Sequence, residues 1–171
     1  MKIAIVSGKD EGPTKLNAFD NALTNAGIGD VNLIKVSSML EANTTVEKLP
    51  KLKAGAMVNC VLSQVTSNTP GDTITAVVAV AIGERLGCVV ETSGINENKE
   101  NLILKAKKMV TYMMNKRSVE IKDLIVEYSS TTVKNTSSVI ASVIYLNEDI
   151  MEKTQWTHEI NKSQPIYLMK S

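Results

Sequence analysis

The stretch Asn32-Leu33-Ile34-Lys35-Val36-Ser37-Ser38-Met39 decides how the rest of the chain is interpreted. Its aliphatic and β-branched residues predict a strand from Val31 to Val36, because such side chains suit a pleated surface. The strand runs directly into two adjacent serines, Ser37 and Ser38. Serine is a common turn residue, so the pair taken alone indicates only that the strand ends here.

The composition is that of a globular protein. The chain has 171 residues, of which 43% are hydrophobic and 22% charged, which is enough for one domain with a core. A net charge of +1 does not indicate a nucleic-acid-binding surface. The longest apolar run, Ile74 to Ile82, has the length of a strand, and the first residues are too few for a signal peptide. We therefore expect a cytoplasmic protein that binds neither nucleic acid nor membrane.

Cysteine and histidine usage narrows the chemistry. Cys60 and Cys88 lie far apart in predicted strands, and we expect free buried thiols rather than a disulfide. The one histidine, His158, lies in a polar tail. Because serine–histidine, cysteine–histidine and zinc chemistries depend on histidine, the sequence disfavours all three and predicts no metal site.

Two helices are predicted. The first begins after Thr14 as N-cap, presents Leu16, Phe19, Leu23 and Ala26 on one face, and ends at Gly27. The second runs from 96 to 116, with apolar side chains on one face, methionines as core filler and lysines on the solvated face.

Seven strands complete the pattern, and they do not alternate strictly with the helices. Residues 40–50 are predicted as a loop, and the polar stretch after Asn147 as an appendage. This order favours an α+β domain with sheets covered by helices over a doubly wound parallel sheet. The strands are predicted at 2–6, 31–36, 55–65, 73–82, 87–92, 119–128 and 139–146, with the alanines of 73–82 leaving a helix open.

The run from Leu16 to Ser38 closely resembles the pyruvoyl-dependent arginine decarboxylases. It includes the segments Leu16-Asn-Ala-Phe-Asp20 and Val31-Asn-Leu-Ile and ends in the serine pair. Two weaker matches are Pro70 to Ala76, where the family usually has glutamate in place of Asp72, and Gly87 to Glu91. The resemblance covers about residues 3–146.

The resemblance implies a layered α/β/β/α sandwich of the pyruvoyl-dependent histidine and arginine decarboxylase type. It implies one domain, 1–147, followed by an extension, 148–171. The chain would cut itself between Ser37 and Ser38 into a β chain, 1–37, and an α chain, 38–171, that stay together. The family assembles as trimers with active sites between subunits and makes agmatine and CO2 from L-arginine, on the way to polyamines.

Five residues receive roles from the resemblance. Ser38 would attack the carbonyl of Ser37 and become the covalent pyruvoyl cofactor, with Asn32 implicated in the cleavage. A pyruvoyl carbonyl takes up electrons as CO2 leaves, so no external cofactor is needed. Glu91 would be the proton donor, and its apolar neighbours predict burial that keeps it protonated. Asp20 would bind the substrate guanidinium.

Purely structural roles remain open for Asn32, Glu91 and Asp20, and other functions remain open for the whole chain. Asn32 can simply form a turn, Glu91 can face solvent, and Asp20 can complement the helix dipole. The chain departs from its relatives at Leu40-Glu41-Ala42, at 59–64 and after Asn147. These departures leave three other hypotheses: the same chemistry on another amino acid, a non-cleaving structural or regulatory paralogue, and a generic small-molecule-binding domain.

Overall fold

The computed structural model describes residues 1–152 and shows four layers in the order helix, sheet, sheet, helix. Helix α1 spans Lys15–Asn25 and α2 spans Lys99–Lys116, while a short 3₁₀ helix, Glu148–Ile150, follows the last strand. The predicted α+β sandwich is thereby confirmed. The strands are β1 (Lys2–Glu11), β2 (Asn32–Lys35), β3 (Met39–Glu41), β4 (Thr45–Val46), β5 (Met57–Ser67), β6 (Thr73–Gly83), β7 (Leu86–Ile95), β8 (Ile121–Thr132) and β9 (Ser137–Leu146).

The two sheets differ in strand direction. The first sheet has the order β2-β5-β9-β1-β4, with β2 parallel to β5, β4 parallel to β1, and the β5–β9–β1 centre antiparallel. The second sheet, β3-β7-β6-β8, is antiparallel throughout. This arrangement excludes the doubly wound parallel sheet, as the sequence predicted.

Three apolar cores separate the four layers. The first lies between α1 and the first sheet, and the third between the second sheet and α2. The middle core, which includes Val61, Val78 and Val143, joins the two sheets. Strand β6 is buried on both faces because it lies between the middle core and α2. This double burial explains why 73–82 lacks polar alternation, and the strand interpretation of that stretch is confirmed.

Helix α1 begins and ends as predicted. The Thr14 hydroxyl accepts a hydrogen bond from the N–H of Asn17, and Gly27 has a φ of +81°. The predicted buried face is wrong at Leu16, which is 74% exposed. The helix instead packs small residues, Ala18 and Ala22, against the first sheet.

The close approach of α1 to β1 explains this shift of the buried face. A Cβ atom added to Gly8 would overlap the carbonyl oxygen of Ala22 and lie 2.9 Å from the Cβ of Ala26. Because the helix lies this near the strand, large side chains have no room at the point of contact. In the first turn, Ala18 is buried whereas the side chain of Leu16 is left in solvent.

The loop predicted for 40–50 contains two strands, so that prediction is wrong in part. Strand β3 pairs with β7 through Met39↔Cys88, and β4 pairs with β1 through Lys2↔Thr45. Elements of two or three residues are too short to show a two-residue alternation. They form because their backbone groups complete the edges of existing sheets.

The second helix and the free thiols agree with the sequence. Leu102, Ala106, Val110 and Met114 are buried, although Met109 is 38% exposed and therefore not core filler. Cys60 and Cys88 are free and buried. Within residues 1–152 no helix has both the length and the apolar character needed to cross a bilayer.

The chain continues to pack for a few residues past Asn147. The Asn147 side chain caps the 3₁₀ helix, Ile150 is buried in the first core, and Met151 pairs with Leu52. The separate extension at 148–171 stays a prediction. His158, the one histidine that the sequence analysis named in this stretch, lies outside the described residues.

Candidate active site

The serine pair lies where the chain crosses from one sheet to the other. Strand β2 is an edge of the first sheet and β3 is an edge of the second, so Val36, Ser37 and Ser38 form the crossing. Ser37 is exposed and Ser38 is half-buried. The crossing therefore brings the peptide bond between the two serines to the rim of the sandwich, with its first residue open to solvent.

Backbone hydrogen bonds hold both serine carbonyls. The N–H of Val89 donates to the carbonyl oxygen of Ser38 at 2.9 Å, which extends the β3–β7 ladder by one residue. The N–H of Met39 donates to the carbonyl oxygen of Ser37 at 3.0 Å, closing a three-residue γ-turn around Ser38. The carbonyl that a Ser38 hydroxyl would attack is therefore already polarised by a hydrogen-bond donor.

Glu91 and Ser38 are directed to the same side of the second sheet. Leu40 and Val89 both lie in the core between the sheets. Because side chains alternate along strands, Ser38, two residues before Leu40, and Glu91, two residues after Val89, face the same side. Diagonal neighbours of this kind have Cβ atoms about 7 Å apart. By this alternation, the predicted pyruvoyl precursor and the predicted proton donor lie on one side of the second sheet.

The burial expected for Glu91 is not found in the single chain. Glu91 is exposed to solvent. The reason is that β3 pairs with β7 only as far as Met39, so the edge of β7 beyond Val89 is uncovered. The apolar residues that precede Glu91 on β7 are covered by the first sheet on one face and by α2 on the other. Glu91 lies beyond the end of this covered part of the strand.

Charged groups near this edge affect a neighbouring thiol. Burial raises the pKa of the Cys60 thiol, Lys35 opposes the rise, and Glu91 adds to it. Burial likewise raises the pKa of Cys88. Both thiols are therefore neutral at physiological pH, and the structure gives them no nucleophilic role.

Asn32 and Asp20, the second group of predicted site residues, lie at the start of β2 and on α1 respectively. The side-chain amide of Asn32 donates to the carbonyl oxygen of Gly55 at 2.9 Å, which is the turn-forming role. Six residues of extended chain, the separation between Asn32 and Ser38, span up to ~20 Å. Asp20 is exposed on α1. Among the described residues, no hydrogen bond joins either of these side chains to the serine pair.

A cavity of about 370 Å³ lies between α1 and the β2 edge of the first sheet, and Asn32 lines it whereas Asp20 does not. Phe19, which precedes Asp20, lines it, together with Asn32 and Lys35. A polar cleft of about 490 Å³ lies at the opposite edge, between β1 and β8, where the Ser7 hydroxyl donates to Glu127 at 2.8 Å. No residue singled out from the sequence lines that second cleft.

One hydrogen bond near the crossing could not be predicted from the sequence. The hydroxyl of Tyr145, on β9 of the first sheet, donates to the carbonyl oxygen of Met39 at 3.1 Å. The two residues are 106 positions apart, and the acceptor is a backbone atom. Nothing in the residue types of either partner predicts this bond, which only the stacking of the two sheets creates.

Comparison with known proteins places the chain in a family. The profile described as pyruvoyl-dependent arginine decarboxylase matches residues 2–150. A pyruvoyl-dependent arginine decarboxylase of Methanothermobacter thermautotrophicus is 54% identical over 147 residues, covering 86% of this chain and 97% of the relative. The Pyrococcus furiosus protein of the same name is 35% identical over 150 residues, covering 84% and 93%.

Two further matches are partial. The Methanocaldococcus jannaschii protein of that name is 44% identical over 101 residues, covering 57% of this chain and 61% of the relative. A solved pyruvoyl-dependent histidine decarboxylase has a TM-score of 0.48 and 14% identity, covering 59% of this chain and 55% of the other. On the match across residues 2–150, the chain belongs to the pyruvoyl-dependent arginine decarboxylase family, whose members depend on a covalent pyruvoyl group.

Proposed function

We propose that this chain is a self-processing decarboxylase that cuts itself between Ser37 and Ser38 and converts L-arginine to agmatine and CO2. The observation that carries the proposal is the hydrogen bond from the Val89 N–H to the Ser38 carbonyl oxygen. This bond attaches Ser38 to β7, the strand that carries Glu91, so that the two residues face the same side of the second sheet. Family membership supports both the chemistry and the substrate. The product would enter polyamine biosynthesis.

The self-cleavage needs only groups of this chain and one water molecule. The Ser38 hydroxyl attacks the Ser37 carbonyl, and the amide becomes an ester as the Ser38 nitrogen is released and protonated. Loss of the Ser38 Cα proton then expels Ser37 as a carboxylate and leaves a dehydroalanine. Its tautomer takes up water and releases ammonia, which gives the pyruvoyl group. The N–H of Met39 donates to the Ser37 carbonyl oxygen, where negative charge develops in the first step.

The residues present fit a pyruvoyl group at position 38. The Val89 N–H already holds the carbonyl that becomes the amide carbonyl of that group, and exposed Ser37 is free to move away as the new carboxyl terminus. When formed, the group supplies a conjugated carbonyl that accepts electrons as CO2 leaves. Glu91 donates the proton that replaces CO2 at the substrate Cα.

Substrate recognition is assigned to Asp20. A carboxylate matches the forked geometry of a guanidinium, and Asp20 is exposed on α1, one residue after Phe19, which lines the cavity. Asn32, on the opposite wall of that cavity, is assigned to the cleavage step.

The separation of the two groups within one subunit supports a homotrimer. Ser38 and Glu91 lie at the β3–β7 edge, whereas Asp20 and Asn32 lie beside α1 and the start of β2. A site built between subunits lets one copy supply the first pair and its neighbour the second. It also covers the exposed edge of β7, which is the burial that the proton-donor role of Glu91 requires. Two neutral buried thiols suit a reducing, cytoplasmic setting.

A denaturing mass spectrum of the purified protein tests the proposal first. Two fragments, 1–37 and 38–171, are expected, the larger lighter by one ammonia than a chain that starts with serine. An intact mass in fresh and aged samples alike would favour the non-cleaving paralogue. Turnover of arginine, lysine and ornithine by the cleaved protein then identifies the substrate, and faster turnover of lysine or ornithine would overturn arginine.

A further inference from the structure

We propose that Tyr145 is a positioning residue for the self-cleavage, acting by holding Met39 in place next to the serine pair. This inference rests on the proposed function, because it concerns the rate at which the bond between Ser37 and Ser38 is cut. It assigns a role to a side chain that lies on the other sheet and 107 positions after Ser38.

The argument begins with the peptide unit that joins Ser38 to Met39. Its carbonyl oxygen accepts a hydrogen bond from the N–H of Val89 at 2.9 Å, and its own N–H donates to the Ser37 carbonyl oxygen at 3.0 Å. Hydrogen bonds in a chain polarise one another, so the Val89 bond strengthens the donor that faces the Ser37 carbonyl. This one peptide unit therefore connects the ladder of the second sheet to the carbonyl that is attacked.

The next peptide carbonyl, that of Met39, is held from the opposite sheet. The Tyr145 hydroxyl donates to it at 3.1 Å, and the Tyr145 ring packs on the core between the sheets. Burial raises the pKa of Tyr145, so the hydroxyl keeps its proton and remains a donor. Met39 is thus fixed on both sides: its N–H points to Ser37 and its carbonyl is anchored to the first sheet.

Anchoring matters because β3 is short. It pairs with β7 over three residues only, from Met39 to Glu41, and its first residue is an exposed methionine. Apart from the tyrosine hydroxyl, the start of β3 is held to the first sheet through the crossing itself and through the packing of Leu40 in the middle core. A shift of Met39 would displace the Ser38–Met39 peptide unit with it, which would take the Met39 N–H away from the Ser37 carbonyl and remove the donor for the developing oxyanion.

The hydrogen bond between Tyr145 and Met39 would also position the chain after the cut. Residue 38 is then a chain terminus that no longer has Ser37 on its other side. The Val89 N–H and the Tyr145 hydroxyl are then the two contacts, one from each sheet, that position the first peptide units of the new chain. Both contacts exist before cleavage, so the site is organised in the uncut chain.

The test is the substitution Tyr145→Phe, which removes the hydroxyl and keeps the ring that packs in the core. Freshly purified or refolded uncut protein is incubated, and intact mass spectrometry follows the loss of the uncut chain. We expect about five- to tenfold slower cleavage, the effect of one neutral hydrogen bond. Tyr112→Phe, on the outer face of α2 and 69% exposed, is the matched control and should cleave like wild type.

The outcomes separate this inference from the proposed function. If wild type and Tyr112→Phe cleave and Tyr145→Phe is slowed at a temperature well below its unfolding midpoint, the positioning role is supported. If all three cleave at one rate, the role is wrong while self-processing stands. If wild type itself never cleaves, self-processing fails and the role of Tyr145 fails with it. A lowered midpoint with an unchanged cleavage rate would show a purely structural tyrosine and would also overturn the inference.

Discussion

The backbone N–H of Val89 donates to the carbonyl oxygen of Ser38 at 2.9 Å, although β3 itself begins one residue later, at Met39. This bond ties the second serine to the strand that carries Glu91, and it sets which side of the sheet the serine faces. The predictions below follow from that placement and from the separation of Asp20 and Asn32 from it.

Ser38→Ala should stop cleavage, because the attacking hydroxyl is lost. The matched change, Ser37→Ala, keeps the carbonyl that is attacked and should still give two chains. Denaturing mass spectrometry of both variants checks this. Cleavage in Ser38→Ala, or its loss in Ser37→Ala alone, would mean that the reacting hydroxyl has been assigned to the wrong serine.

Glu91→Gln should cleave normally yet decarboxylate about 10² to 10⁴-fold more slowly, the usual range for losing an acid–base group. The measurement is kcat on the fully cleaved variant. Glu100→Gln, in the exposed first turn of α2, serves as the control and should keep full activity. A Glu91→Gln protein that remains uncut would show that the carboxylate acts in processing rather than in turnover.

Asp20→Asn should raise the KM for arginine several-fold or more, since a charge-assisted pair with the guanidinium is lost. Cleavage should continue, because Asp20 lies on α1 away from the crossing. Asp123→Asn, at an exposed position of β8, is the control. An unchanged KM would require the guanidinium site to be sought elsewhere.

Mixed assemblies test whether the site lies between subunits. Ser38→Ala subunits keep Asp20 but form no pyruvoyl group, whereas Asp20→Asn subunits form the group and lack the carboxylate. If neighbours share each site, co-refolding the two variants should restore part of the activity at arginine concentrations where each alone is poor. Sedimentation should give the mass of a trimer, and an active monomer would contradict the arrangement.

Asp72 should make the fold sensitive to acid. Hydrogen bonds from the Ser67 hydroxyl at 2.6 Å and the Asn96 amide at 2.9 Å lower the pKa of Asp72 below its ordinary range. The stabilisation is complete above the unfolded-state value of about 4 and is lost as the pH falls through the lower folded value.

The measurement for Asp72 is the thermal midpoint as a function of pH. Asp72→Asn should show a smaller loss of midpoint on acidification than wild type over that range. Asp123→Asn again provides the comparison, and identical acid profiles for Asp72→Asn and wild type would contradict the assignment.

Sequence reasoning located the long elements because each has enough residues to show its period. All seven predicted strands and both helices are present within residues 1–152. It failed where backbone groups decide the structure: β3 and β4 form by completing sheet edges. It also misplaced Leu16, because the close contact between α1 and Gly8 favours alanines over large side chains.

The candidate site divides in the same way. Ser37, Ser38 and Glu91 could be proposed from the resemblance, and the structure places Ser38 and Glu91 on one side of a sheet. The assembly that would add Asp20 and Asn32 depends on contacts between copies, which one chain does not contain. Tyr145 was missed because its partner is a carbonyl, which every residue possesses.

The position of β1 determines how the two pieces of the chain would stay together after the proposed cut. This strand belongs to segment 1–37, yet it lies between β9 and β4 of the other segment and pairs with β9 over ten residues. The two pieces would therefore share the first sheet and could separate only if the hydrogen bonds of that sheet broke. Once separated, they would have to find each other by diffusion, so the refolding of a single subunit would depend on concentration for the mature protein but not for its precursor. In the proposed sequence of events, the chain would fold first and be cut afterwards.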